Sequence, residues 1–331
     1  MDQKIPENKL SDAMRRAAAE ARKWIGATSP NPPVGAVALD AEGEIMAVAT
    51  HRHAGDLHAE AALIEVCRTQ NRLALVHTIC STLEPCNHEG RTPPCTETII
   101  RAGIKHVAIG TRDPNPNVKG GGFEFLQQAG LDVVCGINEE ECKQLIAPFS
   151  YSVLTGKLWI TIKRAFDRNG SPIPPPGQKT FTSPESLKLA HRLRKKADAI
   201  MAGSGTILVD DPLFTVRYVP DYAGKRRQLA IIDRRKRVPQ NYLTEAAARG
   251  LDAAVYTDIE TALKDLSNKG VCDVLVEAGP ILSQAMFDSH FWCMSVTIHK
   301  GDPDRVEVHF NPYEPMPFAT DEFRWEWFLP E

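Results

Sequence analysis

Three residues able to share one metal ion, His58, Cys86 and Cys95, lie in well-separated stretches of the chain. A fold that brings them together must double back on itself. His58 stands in His58-Ala59-Glu60, Cys86 follows Pro85, and Cys95 follows Pro93-Pro94. A catalytic zinc takes three protein ligands and leaves its fourth position to water. Imidazole and thiolate suit that ion, and the metal makes the water a nucleophile near neutral pH. The chemistry also needs a carboxylate beside the metal that moves protons without ligating. Glu60, two residues after His58 at the start of a helical pattern, meets that need. A structural zinc site would instead require a fourth protein ligand, for which His88 is the candidate. Cys67, Cys80, Cys135, Cys142, Cys272 and Cys293 sit in apolar runs or isolated positions and read as structural.

The rest of the sequence has the pattern of a two-domain α/β protein. Its 331 residues are too many for one ordinary domain, and 43% hydrophobic with 24% charged residues is globular composition. In the first half, helical periods at Ser11–Ile25, Glu60–Thr69, Cys95–Ala102, Phe123–Ala129 and Glu139–Leu154 alternate with strand-like runs. The runs are Val34–Leu39, Ile45–Thr50, Val76–Thr82, His106–Gly110 and Leu131–Cys135. This predicts a helix-covered sheet complete by about residue 150. A second α/β pattern has strands at Leu158–Ala165, Ala199–Ala202, Leu229–Asp233, Ala253–Tyr256 and Val274–Glu277. Its helix opens at Ser183-Pro184-Glu185, and a Pro-rich loop fills Gly170–Gly177. The expected domains are 1–154 and 155–331, with a tail from Asn311 that has no period. No apolar run approaches a membrane span, the N-terminus does not read as a signal peptide, and the sparse cysteines point to a reduced, cytoplasmic protein.

Charge is uneven. Residues 161–240 hold 17 Lys and Arg against 7 Asp and Glu, a surplus of 10, so the net charge of −3 leaves −13 for the remainder. A basic stretch in an acidic chain suits a phosphate-bearing ligand or a solvated face.

Thr82-Leu83-Glu84-Pro85-Cys86 followed by Gly90-Arg91-Thr92-Pro93-Pro94-Cys95 closely resembles the deaminase domain of the bifunctional riboflavin-biosynthesis deaminase/reductase family. Asn31-Pro32-Pro33-Val34-Gly35 and Asp113-Pro114-Asn115-Pro116 match it in order, over about residues 11–154. Nucleobase deaminases carry H-x-E and P-C-x-x-C; here eight residues separate the cysteines. The resemblance implies a cytidine-deaminase-like three-layer domain. His58, Cys86 and Cys95 would hold zinc, Glu60 would carry protons, and Asn31, His51, Arg91, Asp113 and Asn115 would line the pocket for a pyrimidine ribosyl phosphate.

The second half resembles the family's reductase domain at Phe181–Glu185, Arg192–Arg194, Ala197–Ile200, Gly203–Arg217 and Val276–Pro280. That implies a dihydrofolate-reductase-like fold and NADPH as hydride donor. Ala165, Thr206, Asp210 and Gly279 would bind the cofactor, with Arg234 in the Arg234–Arg237 run as a candidate for its 2′-phosphate. Arg194 and Arg217 would hold the substrate phosphate, and Glu277 would line the cleft. The family also implies a homo-oligomer joined through reductase domains.

Three departures motivate a second reading, a deaminase with an inactive or repurposed reductase-like half. Asp167-Arg168-Asn169-Gly170 replaces a Ser-Leu-Asp-Gly run and brings an acid near a phosphate or nicotinamide contact. Thr180-Phe181 replaces a Trp. The chain ends earlier than the family pattern, so dimer-forming or cofactor-covering elements at its end are open to being missing. A third reading, nucleic-acid binding, lacks a basic groove interleaved with aromatics in the deaminase domain. No nucleic-acid or membrane partner is expected.

Overall fold

The computed structural model describes residues 4–88, 93–115, 121–173 and 180–330. The chain forms two compact units, one of Met1–Thr155 with Pro317–Glu331 and one of Gly156–Met316. Among the described residues no helix is long and apolar enough to cross a membrane.

In the first unit, helix α1 (Glu7–Arg22) precedes the hairpin of β1 (Gly35–Leu39) and β2 (Ile45–Thr50). Then come α2 (Ala59–Thr69), β3 (Thr78–Leu83), α3 (Cys95–Arg101) and β4 (His106–Thr111). The series closes with α4 (Gly122–Gln128), β5 (Asp132–Cys135), α5 (Glu139–Leu145) and α6 (Ala147–Thr155). The sheet order is β2-β1-β3-β4-β5. Strand β1 is antiparallel to both neighbours, and β3, β4 and β5 run parallel.

The strand period of two explains why helices cover both faces. Ala36 and Ala38 of β1 join Leu63, Ile64, Ile79 and Ile99 in one core layer. Val37 and Leu39 join Met14, Ala17 and Cys80 in the other. Helix α1 lies so close to the sheet that a Cβ on Gly35 would sit 2.1 Å from the Ala17 carbonyl oxygen. The helix expected over Glu139–Leu154 is broken at Ile146 into α5 and α6. Pro148 has no N–H for the Gln144 carbonyl, which removes a hydrogen bond a continuous helix would need.

The second unit contains β6 (Trp159–Phe166), α7 (Pro184–Lys196), β7 (Ala199–Gly203), α8 (Ser204–Asp210) and β8 (Arg227–Ile232). It continues with α9 (Gln240–Ala248), β9 (Leu251–Tyr256), α10 (Ile259–Asn268), β10 (Asp273–Val276) and α11 (Pro280–Asp288). Strands β11 (Met294–His299) and β12 (Arg305–Phe310) finish it. The seven strands order as β12-β11-β6-β10-β7-β8-β9. All neighbours are parallel except β11 and β12. Helix α7 starts as the sequence predicts: the Ser183 hydroxyl accepts from Ser186 N, with proline in the first turn. Near the chain end, where the sequence showed no strand pattern, β11 and β12 extend the sheet from β6. Part of the Pro-rich loop expected at Gly170–Gly177 lies outside the described residues.

The tail ends in α12 (Trp325–Phe328) and belongs with the first unit, whereas the expected boundaries assigned it to the second. Polar bonds to α5 register it. Glu140 Oε2 accepts from Ala319 N at 2.8 Å, Gln144 Nε2 donates to the Glu322 carbonyl at 3.0 Å, and Gln144 Oε1 accepts from Arg324 N at 2.9 Å. Phe318, Phe328 and Leu329 are buried. The sequence shows no period here because these aromatics serve an extended strap. Phe328→Ala is expected to destabilise the first unit by about 3–5 kcal/mol, read as a lower denaturant midpoint. An unchanged midpoint would contradict this packing role.

Candidate active site

The three metal-ligand candidates meet because two helices begin at them. His58 immediately precedes α2, Cys95 is the first residue of α3, and Cys86 lies just beyond β3. His58 Nδ1 is 3.4 Å from Cys86 Sγ and 3.4 Å from Cys95 Sγ. Their three donor atoms all lie within 4.8 Å of one another. Zinc bonds of about 2.3 Å to sulfur and 2.1 Å to nitrogen, at a tetrahedral angle, would put such donors about 3.6 Å apart. The donor set therefore fits zinc. The Cys86 thiol is pushed down, first by a hydrogen bond from Cys95 and further by His58 and the Cys95 backbone N–H. A thiolate is the form that binds metal. Among the described residues this is the one such cluster, and His88 is exposed and outside it. The geometry thus favours an open three-ligand site over a closed structural one.

Glu60 sits in the first turn of α2 and is buried. Its Oε1 accepts from Ser81 Oγ on β3 at 2.7 Å. Burial raises its pKa despite that bond, which suits a group that takes up and releases protons. His51 is also buried, its ring 5.5 Å from that of His58. Burial lowers its pKa. The neutral tautomer that fits donates from Nδ1 to the Leu57 carbonyl at 3.1 Å and accepts at Nε2 from the Asn31 amide at 3.2 Å. Asn31 and His51 are thus brought together next to His58. Asp113 Oδ1 accepts from Asn115 N at 2.9 Å, which folds those two into one turn. Burial raises the pKa of Asp113. Arg91 lies outside the described residues.

In the second unit Arg194 and Glu277 form a bidentate pair, Nε to Oε1 at 2.5 Å and Nη2 to Oε2 at 2.7 Å. Burial alone would raise the Glu277 pKa; the Arg194 charge and hydrogen bonds outweigh it and hold the carboxyl at about 2. Arg194 was expected to hold a phosphate, yet its fork is occupied by Glu277. Arg217 is exposed, with Nη1 on Thr215 Oγ1 at 2.8 Å and its backbone N on His191 Nδ1 at 2.8 Å. Burial first, then Arg194 and Arg217, push His191 down to about 4. Sequence reasoning missed His191 and also Lys163, whose pKa is lowered by burial beside Glu277 and Arg194. A lysine within an apolar strand was the available signal.

The expected cofactor residues are only partly together. Adjacent parallel strands β7 and β10 both run into glycine turns, and Gly279 N donates to Thr206 Oγ1 at 3.2 Å across them. Paired helix entries at the carboxyl edge of such a sheet fit a dinucleotide phosphate. Ala165 lies within β6, and Asp210 is exposed at the end of α8. Arg234 is exposed, whereas Arg237 reaches Ser204 Oγ at 2.9 Å where α8 begins. Asp167, suspected of repelling a phosphate, is engaged in its own turn, accepting from Asn169 N and Ser171 N at 2.8 Å each.

Comparison with known proteins agrees with this two-part reading. Residues 7–111 match the model of the cytidine and deoxycytidylate deaminase zinc-binding region, and residues 174–291 match that of the RibD C-terminal domain. Riboflavin biosynthesis protein RibD of Aquifex aeolicus is 42% identical over 227 residues, 68% of this chain and 62% of that one. The chain therefore spans less than two thirds of that relative's length. The protein of the same name from Corynebacterium ammoniagenes is 34% identical over 273 residues, 82% of this chain and 79% of the other. A crystal structure of diaminohydroxyphosphoribosylaminopyrimidine deaminase/5-amino-6-(5-phosphoribosylamino)uracil reductase from Thermotoga maritima superposes with a TM-score of 0.79 at 31% identity, covering 88% of this chain and 87% of that one. That match spans both units and bears out the expected fold class. With the zinc-binding region, the C-terminal domain and relatives of this extent in one chain, the protein belongs to the RibD family of riboflavin biosynthesis proteins.

Proposed function

We propose that this chain carries out two successive steps of riboflavin biosynthesis. The first unit hydrolytically deaminates 2,5-diamino-6-(5-phosphoribosylamino)pyrimidin-4(3H)-one. The second reduces the ribosyl group of the product to ribityl with NADPH. The observation that carries the reading is the convergence of His58, Cys86 and Cys95 beside the buried carboxylate of Glu60.

His58, Cys86 and Cys95 would hold zinc, which would supply a water nucleophile near neutral pH. Glu60 stands beside it as the proton carrier: Ser81 orients the carboxylate through Oε1, and the carboxylate takes the proton of the water and passes it to the departing amino group. The water oxygen bonds to the amino-bearing carbon, the carbon–nitrogen bond breaks, and ammonia leaves. Neutral His51, steadied by Leu57 and Asn31, presents a fixed polar wall near His58. Asp113, Asn115 and Arg91 are assigned to the substrate's pyrimidine and ribose phosphate.

The second unit would hold NADPH, which would supply the hydride for C1′ of the ribosyl group. Thr206 and Gly279 are assigned to hold it, with Arg237 rather than Arg234 near the helix entry. Arg217 is the exposed cation for the substrate phosphate, and the Arg194–Glu277 pair shapes the wall behind it. The two-step reading is favoured over one with an idle second unit because a single chain matches both the deaminase zinc-binding region and the RibD C-terminal domain. A cytoplasmic location accords with eight cysteines that form no disulfide, and a homo-oligomer with the family resemblance.

Glu60→Gln should lower the deamination rate by at least about a hundredfold, the scale of a lost general acid–base group, while zinc stoichiometry stays at the wild-type value. Full activity in that variant would overturn the mechanism. Arg237→Ala is expected to weaken NADPH binding by about tenfold, the effect of one charge-assisted bond, and Arg234→Ala to leave it nearly unchanged. Titration of both variants with NADPH, followed by fluorescence, checks this; the reverse order would reinstate Arg234.

A further inference from the structure

Glu84 has no role in the chemistry described above, yet it is the most heavily engaged carboxylate near the metal-ligand cluster. Its side chain is 4% exposed. Oε2 accepts from Arg112 Nε at 2.6 Å and from Asp113 N at 3.1 Å, and Oε1 accepts from Phe123 N at 2.9 Å. Two of the three donors are backbone N–H groups, and they flank the stretch containing Asp113 and Asn115. Glu84 also precedes Pro85-Cys86, so one carboxylate joins the metal-holding segment to both ends of that stretch.

A second contact, independent of the carboxylate, sets the same spacing. Gly122 at the start of α4 lies against Pro85, where a Cβ would sit 1.9 Å from the Pro85 carbonyl oxygen. Arg112 closes the arrangement from outside, with Nη2 on Glu124 at 2.7 Å and its guanidinium 4.7 Å from the Phe123 ring centroid. The donors to Glu84 belong to Arg112, Asp113 and Phe123 and not to the three ligands, so its effect on them is through position.

We propose that Glu84 is a positioning residue that fixes the register between the Cys86 segment and the Asp113–Asn115 turn. It thereby sets where a bound pyrimidine lies relative to the metal ligands. The inference rests on the reading that Asp113 and Asn115 face the substrate. Loss of the register displaces those two side chains while leaving His58, Cys86, Cys95 and Glu60 in place. Its signature is weaker substrate capture with the chemical step largely kept.

The test uses the full zinc-loaded chain and the diaminopyrimidine ribosyl phosphate. Glu84→Gln retains one acceptor oxygen but sets an amide N–H against a backbone N–H. Gly122→Ala pushes on the same register from the Pro85 side. Each should raise KM for deamination about 10- to 100-fold, the scale of losing bonds to a buried carboxylate. The value of kcat should stay within about threefold, and zinc stoichiometry should not change. Arg112→Ala, which leaves both backbone bonds intact, should raise KM only about threefold. Unchanged KM in both Glu84→Gln and Gly122→Ala overturns the proposal. So does a fall in kcat with loss of zinc at constant KM, which would make Glu84 a support of the metal segment. If Glu84→Gln fails to fold, Gly122→Ala decides alone. A wild-type chain that does not deaminate this compound at all defeats the functional reading instead, so the two failures are told apart.

Discussion

The fully buried strand β3 is the constraint on which the first unit depends. It pairs with β1 on one side and β4 on the other, and it leads directly into the Glu84–Cys86 segment. Side chains alternate across a strand, so Cys80 packs in the α1 layer while Ser81 faces Glu60 in the α2 layer. A one-residue slip of β3 would turn Ser81 away from Glu60 and carry Cys86 away from His58. The tight seat of α1 on Gly35 helps to hold the register. Helices α2 and α3 then begin at His58 and Cys95, and their positive ends favour the thiolates gathered there.

The motif was readable because metal chemistry tolerates few residue types. His58, Cys86, Cys95 and Glu60 could be named from spacing and donor chemistry, and strands such as His106–Gly110 were readable from apolar runs. What was not readable depended on partners distant in sequence. Ser81 and Glu84 looked like strand and motif residues until Glu60, Asp113 and Phe123 were seen around them. The tail was opaque because its aromatics match the surface of α5, not a period of their own. Strands β11 and β12 were hidden by flanking His, Lys, Gly and Asp residues; parallel pairing of β11 to β6 and antiparallel pairing of β12 to β11 give them their places.

The second unit shows why charge counting identifies a region better than a residue. Its basic surplus suits an anionic ligand, but much of it is already matched within the fold. Arg194 is matched by Glu277, Lys196 by Asp273 and Arg227 by Asp221. A buried arginine with a bidentate carboxylate partner is a fixed element of the wall, costly to break and unavailable to a new anion. Arg217 is exposed with its guanidinium on Thr215, and Arg237 stands on Ser204 at the entry to α8; these are the two assigned to ligands. Choosing among arginines of equal sequence appeal required knowing which carboxylates fold against them.

The central claim is that both units act on one pyrimidine ribosyl phosphate in succession. The most direct measurement is the mass of the products formed from the diaminopyrimidine ribosyl phosphate by the zinc-loaded chain, with and without NADPH. The account predicts a gain of about one mass unit without NADPH, from amino to oxo, and a further gain of about two with NADPH, from the added hydride and proton. An unchanged mass in both reactions would contradict the deaminase assignment. The first gain alone, in the presence of NADPH, would contradict the reductase assignment.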